Sequence, residues 1–282
     1  MRRLPRSLAV ALLLLPGVGF LALFFGTPLV LALVASVTAD GPGATGFTLA
    51  NYRSIFTNRV HLEGLVFSMY LSVVPTLIAL AISVPLAVAL QTTFPGRRLF
   101  RTLYQLPLAV PTIVAAFLVL VLLDRGGMIS RLLAPVGLSL PRMVRDEYAV
   151  GVIVAMVWKA VPFMTLIIAG AVASIPSDVT AAARSLGATR VAVFFWIELP
   201  MALPGITAAT LLVFVTSTGA FAIPSLLGPI YPEPLSIQMY SYAFVENRWG
   251  IVSAMGSILS LVACLVLLAY YRLTARVGGG GR

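Results

Sequence analysis

The stretch AAARSLGATRVAVFFWIELP, Ala181–Pro200, separates two long apolar runs, Ala149–Ala173 and Ala202–Leu226. A run of about 20 predominantly apolar residues crosses a bilayer as one helix. Working outward from the stretch gives six such runs: Leu8–Ala35, Val66–Leu90, Leu103–Leu123, Ala149–Ala173, Ala202–Leu226 and Ile251–Tyr271. The first follows Arg2, Arg3 and Arg6 as a signal peptide would. It is too long for a signal core and lacks a small-x-small cleavage site before polar sequence, so it reads as a retained helix. The expected fold is all-α: one polytopic domain over 1–282, six transmembrane helices, and a loop, 174–200, between the fourth and fifth.

Composition agrees. The chain has 282 residues, of which 60% are hydrophobic and only 10% charged, whereas soluble domains carry about 25% charged residues. Mean hydropathy is +1.04. Such a chain cannot cover itself with polar surface, and the bilayer must be its solvent. The net charge of +10 does not indicate nucleic acid, because the arginines are scattered over short loops and termini with no basic face or nucleic-acid motif. The single cysteine, Cys264, excludes an internal disulfide or thiol metal site. His61, the only histidine, sits in a polar segment beside Glu63 and reads as an ordinary loop residue, since metal sites need several ligands.

The arginines orient the spans. Eleven basic residues against two acids, Asp178 and Glu198, fall on the side that holds the termini, and seven against seven fall on the other. By the positive-inside rule both termini are cytoplasmic, and 174–200 is the longest cytoplasmic loop. The first outer loop is turn-rich, and its aromatics Phe47, Tyr52 and Phe56 are expected at the membrane interface.

Within the opening stretch, Asp178 is placed to cap a short helix from about Val179 to Leu186, and Gly187 suits the left-handed residue that ends one. A second helix from Thr189 would gather Val191, Phe194, Phe195 and Ile197 largely on one side until Pro200 ends it. Two short helices at an angle make a knob for a partner's groove. The small residues Ala182, Ala183, Gly187 and Ala188 permit close approach.

This segment resembles the cytoplasmic EAA loop of permease subunits in binding-protein-dependent ABC importers, whose pattern is E-A-A-x-x-x-G, nine residues, then I-x-L-P. Ala182, Ala183 and Gly187 match its start, and Ile197, Leu199 and Pro200 its end, with nine residues between Gly187 and Ile197. Ala181 stands where the family usually has glutamate. FTLANYRSIF before the second span and GAFAIPSLLG closing the fifth also look like these permeases, the latter and RSLGA like the polyamine and opine branch. VWKAVPFMTLIIAG looks like the sugar-permease branch.

The resemblance implies a type I permease fold and an ATPase-coupling surface at Ala181, Ala182, Ala183, Arg184, Gly187, Ala188, Ile197, Leu199 and Pro200. It implies cytoplasmic ABC ATPase subunits, a second permease subunit (a paralogue rather than a copy), and an extracytoplasmic solute-binding protein. The site would be a bacterial inner membrane, and the cargo a polyamine, a related amine or a sugar. The chain needs no cofactor of its own, ATP being bound by the partner. No G-x-x-x-x-G-K-[ST] loop is present to hold nucleotide phosphates.

Four residues are candidates for the solute path: Lys159, Thr216, Ser217 and Thr218. Lys159 is the only formal charge deep in a span. A charge there costs about 2.5–3.5 kcal/mol on insertion scales, so it faces a cavity or a partner. It either lines the path or binds an anionic group, or else it snorkels or bonds carbonyls of a neighbouring subunit. Thr216, Ser217 and Thr218 are consecutive, so not all face one side, and hydroxyls bonding back to their own helix are the alternative.

A self-sufficient carrier or channel is the competing reading. Ion-driven carriers carry intramembrane acids and internal repeats, yet none of the nine acidic residues lies deep in a span. An intramembrane protease would need a serine–histidine pair or metal ligands within the spans, and neither is there.

Overall fold

The computed structural model describes residues 6–40, 46–138 and 141–278, and is helical with one isolated antiparallel bridge, Thr38–Phe47. Among the described residues, six segments are long and apolar enough to cross a membrane: Leu12–Ser36, Arg59–Ala89, Thr112–Val136, Val150–Ala173, Arg190–Thr218 and Trp249–Arg272. They are numbered here as spans one to six. The chain divides into two compact units, Met1–Leu62 with Met239–Ile258, and Glu63–Gln238 with Leu259–Arg282.

In the first of these units, the first span is largely exposed, with only its last residue, Ser36, buried, as a helix solvated by lipid or covered by another chain would be. Its end is tied down by polar side chains. Asn51 donates to the carbonyls of Ser36 and Thr38 at 3.1 and 3.0 Å, and the Tyr52 hydroxyl donates to Ser36 Oγ at 2.8 Å. Asp40 accepts from the backbone N–H groups of Gly250 at 2.6 Å and Ile251 at 2.9 Å. A helix leaves its first N–H groups without internal partners and carries partial positive charge there. Asp40, from a distant part of the chain, thus does for the sixth span what a local capping residue does elsewhere.

His61 departs from its expected loop position. It lies in the helix Arg59–Ala89 with 2% of its surface exposed. One ring nitrogen, Nδ1, lies 3.1 Å from the Ser54 carbonyl, and the other, Nε2, lies 2.9 Å from the Tyr242 hydroxyl. Nδ1 also lies 3.2 Å from the Ser54 hydroxyl, so Ser54 and Tyr242 hold the ring from its two nitrogens, whichever of them carries the proton. Phe47 and Phe56 are exposed, while Tyr52 turns inward to Ser36.

The second unit is held by two apolar clusters. Phe67, Leu71, Ala116, Val119, Val152, Met156 and Leu227 join spans two, three and four to a short helix, Ala222–Leu227. Ala79, Met164, Ile168, Ala202, Ile206 and Val213 join spans two, four and five. Spans four and five approach closely at Gly205, where an added Cβ would lie 2.2 Å from the Ala171 Cβ. Small residues at such crossings let membrane helices pack by dispersion where lipid removes the hydrophobic drive.

The second, third and fifth spans differ most from the sequence reading, the third and fifth around prolines. The expected third span, Leu103–Leu123, is interrupted at Val110–Pro111 into helices Arg97–Ala109 and Thr112–Leu123. Pro111 has no N–H and restricts the residue before it to extended backbone; Val110 accordingly has ψ 123°. The expected fifth span, Ala202–Leu226, begins earlier, at Arg190, and stops at Thr218. Pro200 therefore does not end a helix. The turn before it, Phe194–Glu198, widens to a π-helix, with the Leu199 N–H reaching back to the Phe194 carbonyl. That extra residue relieves the clash a proline ring makes with the carbonyl four residues back in an α-helix. The second span starts at Arg59, not Val66.

Candidate functional site: an exposed elbow and a lysine-lined cavity

Between spans four and five the chain turns through a compact elbow. Helix Ser177–Ser185 follows Pro176, and Asp178 lies in its first turn with no side-chain cap made, so the expected capping role is not seen. The helix ends in a Schellman arrangement. The Ala188 N–H donates to the Ala183 carbonyl and the Gly187 N–H to the Arg184 carbonyl, both at 3.0 Å. Gly187 has φ 87°, a conformation that costs an L-residue about 1–2 kcal/mol. Thr189 then caps the next helix, its Oγ1 accepting from the Ala192 N–H at 3.2 Å.

The surface of this elbow is apolar where a soluble loop would be polar. Leu186 is 90% exposed and Trp196 is 82% exposed, with Val191 and Phe195 also exposed. Ala181, Ala182 and Arg184 are exposed, Ala183 and Ala188 half-buried, and nothing among the described residues beyond its chain neighbours lies within 4 Å of a Cβ built on Gly187. Ile197 and Leu199 are half-buried and Pro200 is exposed. Leu199 packs against the cluster of spans two, four and five, so the end of the motif lies on a span while its start projects. Leu186 was not singled out from the sequence. Its signal was its place just before the glycine, where side chains of a Schellman turn point outward.

The second feature is a cavity of about 400 Å³ among spans three, four and five. Lys159, Thr112, Thr216 and Ser217 supply its polar wall, and Phe163 and Phe221 part of its apolar wall. Thr216 donates to the carbonyls of Leu212 and Val213, both at 3.0 Å. Thr218 is buried, donates to the Phe214 carbonyl at 2.9 Å and does not line the cavity. The Ser217 hydroxyl, half-buried, makes no hydrogen bond among the described residues. Thr112, Phe163 and Phe221 were not singled out from the sequence, because the packing of three separate segments brings them to one cavity.

Lys159 has a specific partner set. Its ammonium donates to the carbonyls of Pro107 at 2.7 Å and Val110 at 2.6 Å. The Pro107 carbonyl is the one that an N–H at position 111 would have satisfied, and Pro111 has none. The lysine thus repairs the helix break made by that proline, at the helix end whose dipole favours a cation. Carbonyls of its own chain hold two of its N–H groups and, among the described residues, the third is left for the cavity.

Comparison with known proteins fits this architecture. Residues 79–279 match the family model of binding-protein-dependent transport system inner membrane components, and the chain belongs to that family. It is 30% identical over 259 residues to the spermidine/putrescine transport system permease protein of Haemophilus influenzae, covering 90% of each chain. It is 32% identical over 188 residues to the molybdenum transport system permease protein of Escherichia coli, covering 66% of this chain and 80% of the relative. Among solved structures it resembles a chain of a bacterial alginate ABC transporter bound to an alginate-loaded periplasmic protein, with TM-score 0.84, 19% identity, and 97% and 96% of the two chains covered. The chain is a multi-pass membrane component of a transport system.

Proposed function

We propose that this chain is the permease subunit of an ATP-driven ABC importer, with the 174–200 elbow seated in a separate cytoplasmic ATPase. The observation that carries this reading is the elbow itself: a rigid, capped turn with Leu186 90% exposed, joined directly to the fifth span through one continuous helix, Arg190–Thr218. ATPase closure pressing on that turn would move a helix that packs at Gly205 against the fourth span, and that helix also lines the lysine cavity through Thr216 and Ser217. A lever needs stiffness, and an elbow fixed by the Gly187 turn and the Thr189 cap supplies it.

In this reading both termini are cytoplasmic, the chain hydrolyses no ATP itself, and a second permease, a paralogue, completes the path. A binding protein outside the membrane delivers a small polar solute. The relatives' names include spermidine/putrescine and molybdenum transport. A half-satisfied ammonium in the cavity disfavours a polyamine. Reporter fusions after Arg272 and within Gly126–Gly137 test the orientation, and should report opposite faces. The same face for both would overturn the six-span arrangement.

A further inference from the structure

A second cavity, of about 310 Å³, lies where the ends of spans two and four meet helix Arg97–Ala109. Leu90 and Gln91 follow the last residue of the second span, Ala173 is the last residue of the fourth, and Arg97 is the first of the helix. Three helix ends at one level mark the height of lipid headgroups in either orientation of the spans.

The donors face inward. Arg97, Arg101 and Tyr104 share one helical face and all three line the cavity. Arg97 Nη2 donates to the Leu90 carbonyl, one of the orphan acceptors at the end of the second span. Arg101 makes no hydrogen bond or ion pair among the described residues. The Tyr104 hydroxyl accepts from Gln105 Nε2 at 3.2 Å, so its own proton is free to donate. No carboxylate lines the cavity. The remaining wall, Leu166, Ala169 and Ala173, is apolar and continues along the fourth span. On the opposite face of the same helix Leu99, Leu103 and Leu106 are each more than half exposed.

We propose that this cavity binds the phosphate of an anionic phospholipid headgroup, with Arg101 and Tyr104 as free donors and Arg97 as a second cation. Two guanidinium groups without a carboxylate call for an anion, and planar, forked donors suit phosphate oxygens. The apolar wall rising from the charged floor selects an amphiphile over a soluble phosphate. Basic pockets between transmembrane helices are a known physical solution for holding acidic lipids.

The test is native mass spectrometry of the purified full chain in mild detergent, titrated with phosphatidylglycerol and, separately, phosphatidylcholine. Arg101→Gln is the informative variant, because the Arg101 side chain holds nothing among the described residues and its loss should leave the fold intact. The wild type should retain phosphatidylglycerol over phosphatidylcholine. Arg101→Gln should weaken that retention about five-fold, the contribution of one basic residue near an anionic surface. Arg98→Gln, whose residue does not line the cavity, should change it less than two-fold. Equal retention by wild type and Arg101→Gln would overturn the proposal. So would displacement of the lipid by millimolar inorganic phosphate, which would assign the site to a soluble anion. Loss of a co-purifying ATPase from Arg101→Gln with lipid binding unchanged would assign the cavity to a protein contact, and would equally overturn it.

Discussion

Replacing Lys159 with methionine should destabilise the folded bundle although it removes a charge from the membrane. Two terms act, and both have the same sign. The first is the loss of the hydrogen bonds to the Pro107 and Val110 carbonyls at 2.7 and 2.6 Å, which leaves two acceptors at a helix break without donors. Interhelical hydrogen bonds in membranes average about 0.6 and reach about 1.7 kcal/mol, so two of them contribute on the order of 1–3 kcal/mol. The second concerns the unpacked state, in which spans are inserted but apart. There the lysine faces lipid at a cost, and packing against the carbonyls relieves it; methionine has no such cost to escape. The net expectation is a loss of about 2–4 kcal/mol of bundle stability. Lys159→Gln, which keeps N–H donors without the charge, should fall between. The assay is unfolding in mixed micelles by titrated denaturing detergent, read by tryptophan fluorescence, with Trp158 beside the site as reporter. Equal midpoints for wild type, Lys159→Gln and Lys159→Met would refute the repair role and leave Lys159 to the solute path alone.

Three further outcomes follow from packing and capping. Asp40→Ala removes the acceptor of the Gly250 and Ile251 N–H groups and should lower stability by about 1–2 kcal/mol in the same detergent titration, with Asp40→Asn losing less. Gly205→Ala places a methyl 2.2 Å from the Ala171 Cβ and should cost about 1–3 kcal/mol, while the exchange Gly205→Ala with Ala171→Gly should recover most of it; no recovery would show that the crossing is not tight there. In Gly187→Val the added Cβ meets nothing within 4 Å among the described residues beyond its chain neighbours, so the expected cost is about 1–2 kcal/mol of backbone strain. The spans should still assemble, ATPase retention should drop, and Gly187→Asn should be tolerated, as asparagine enters the left-handed region more readily.

Length and apolar composition carried the helical membrane fold, because about 30 Å of hydrocarbon demands long uninterrupted runs and few sequences supply them. Boundaries were harder. Pro111 broke a helix and Pro200 did not, since the effect of a proline depends on whether the preceding turn can widen, as Phe194–Glu198 does. The elbow was legible through Gly187, Ala188 and Thr189, whose roles are set by neighbours in sequence. Lys159 was legible as an anomaly only. Its partners lie 49 and 52 residues away, beyond any local pattern. Asp40 and His61 were missed for the same reason, their bonds reaching 210 and 181 residues along the chain.

The central claim, that the 174–200 elbow is the seat of a separate ATPase, is tested most directly by cross-linking from its tip. The chain has one cysteine, Cys264, so Cys264→Ala followed by Leu186→Cys places a single reactive thiol at the most exposed apolar point of the elbow. Ile230→Cys, at a residue 80% exposed and assigned to the opposite face, serves as the control. With a short thiol-directed photo-crosslinker in intact membranes, Leu186→Cys should yield one covalent adduct with an ABC ATPase subunit, and Ile230→Cys none. No ATPase adduct from Leu186→Cys, or equal adducts from both positions, would contradict the account.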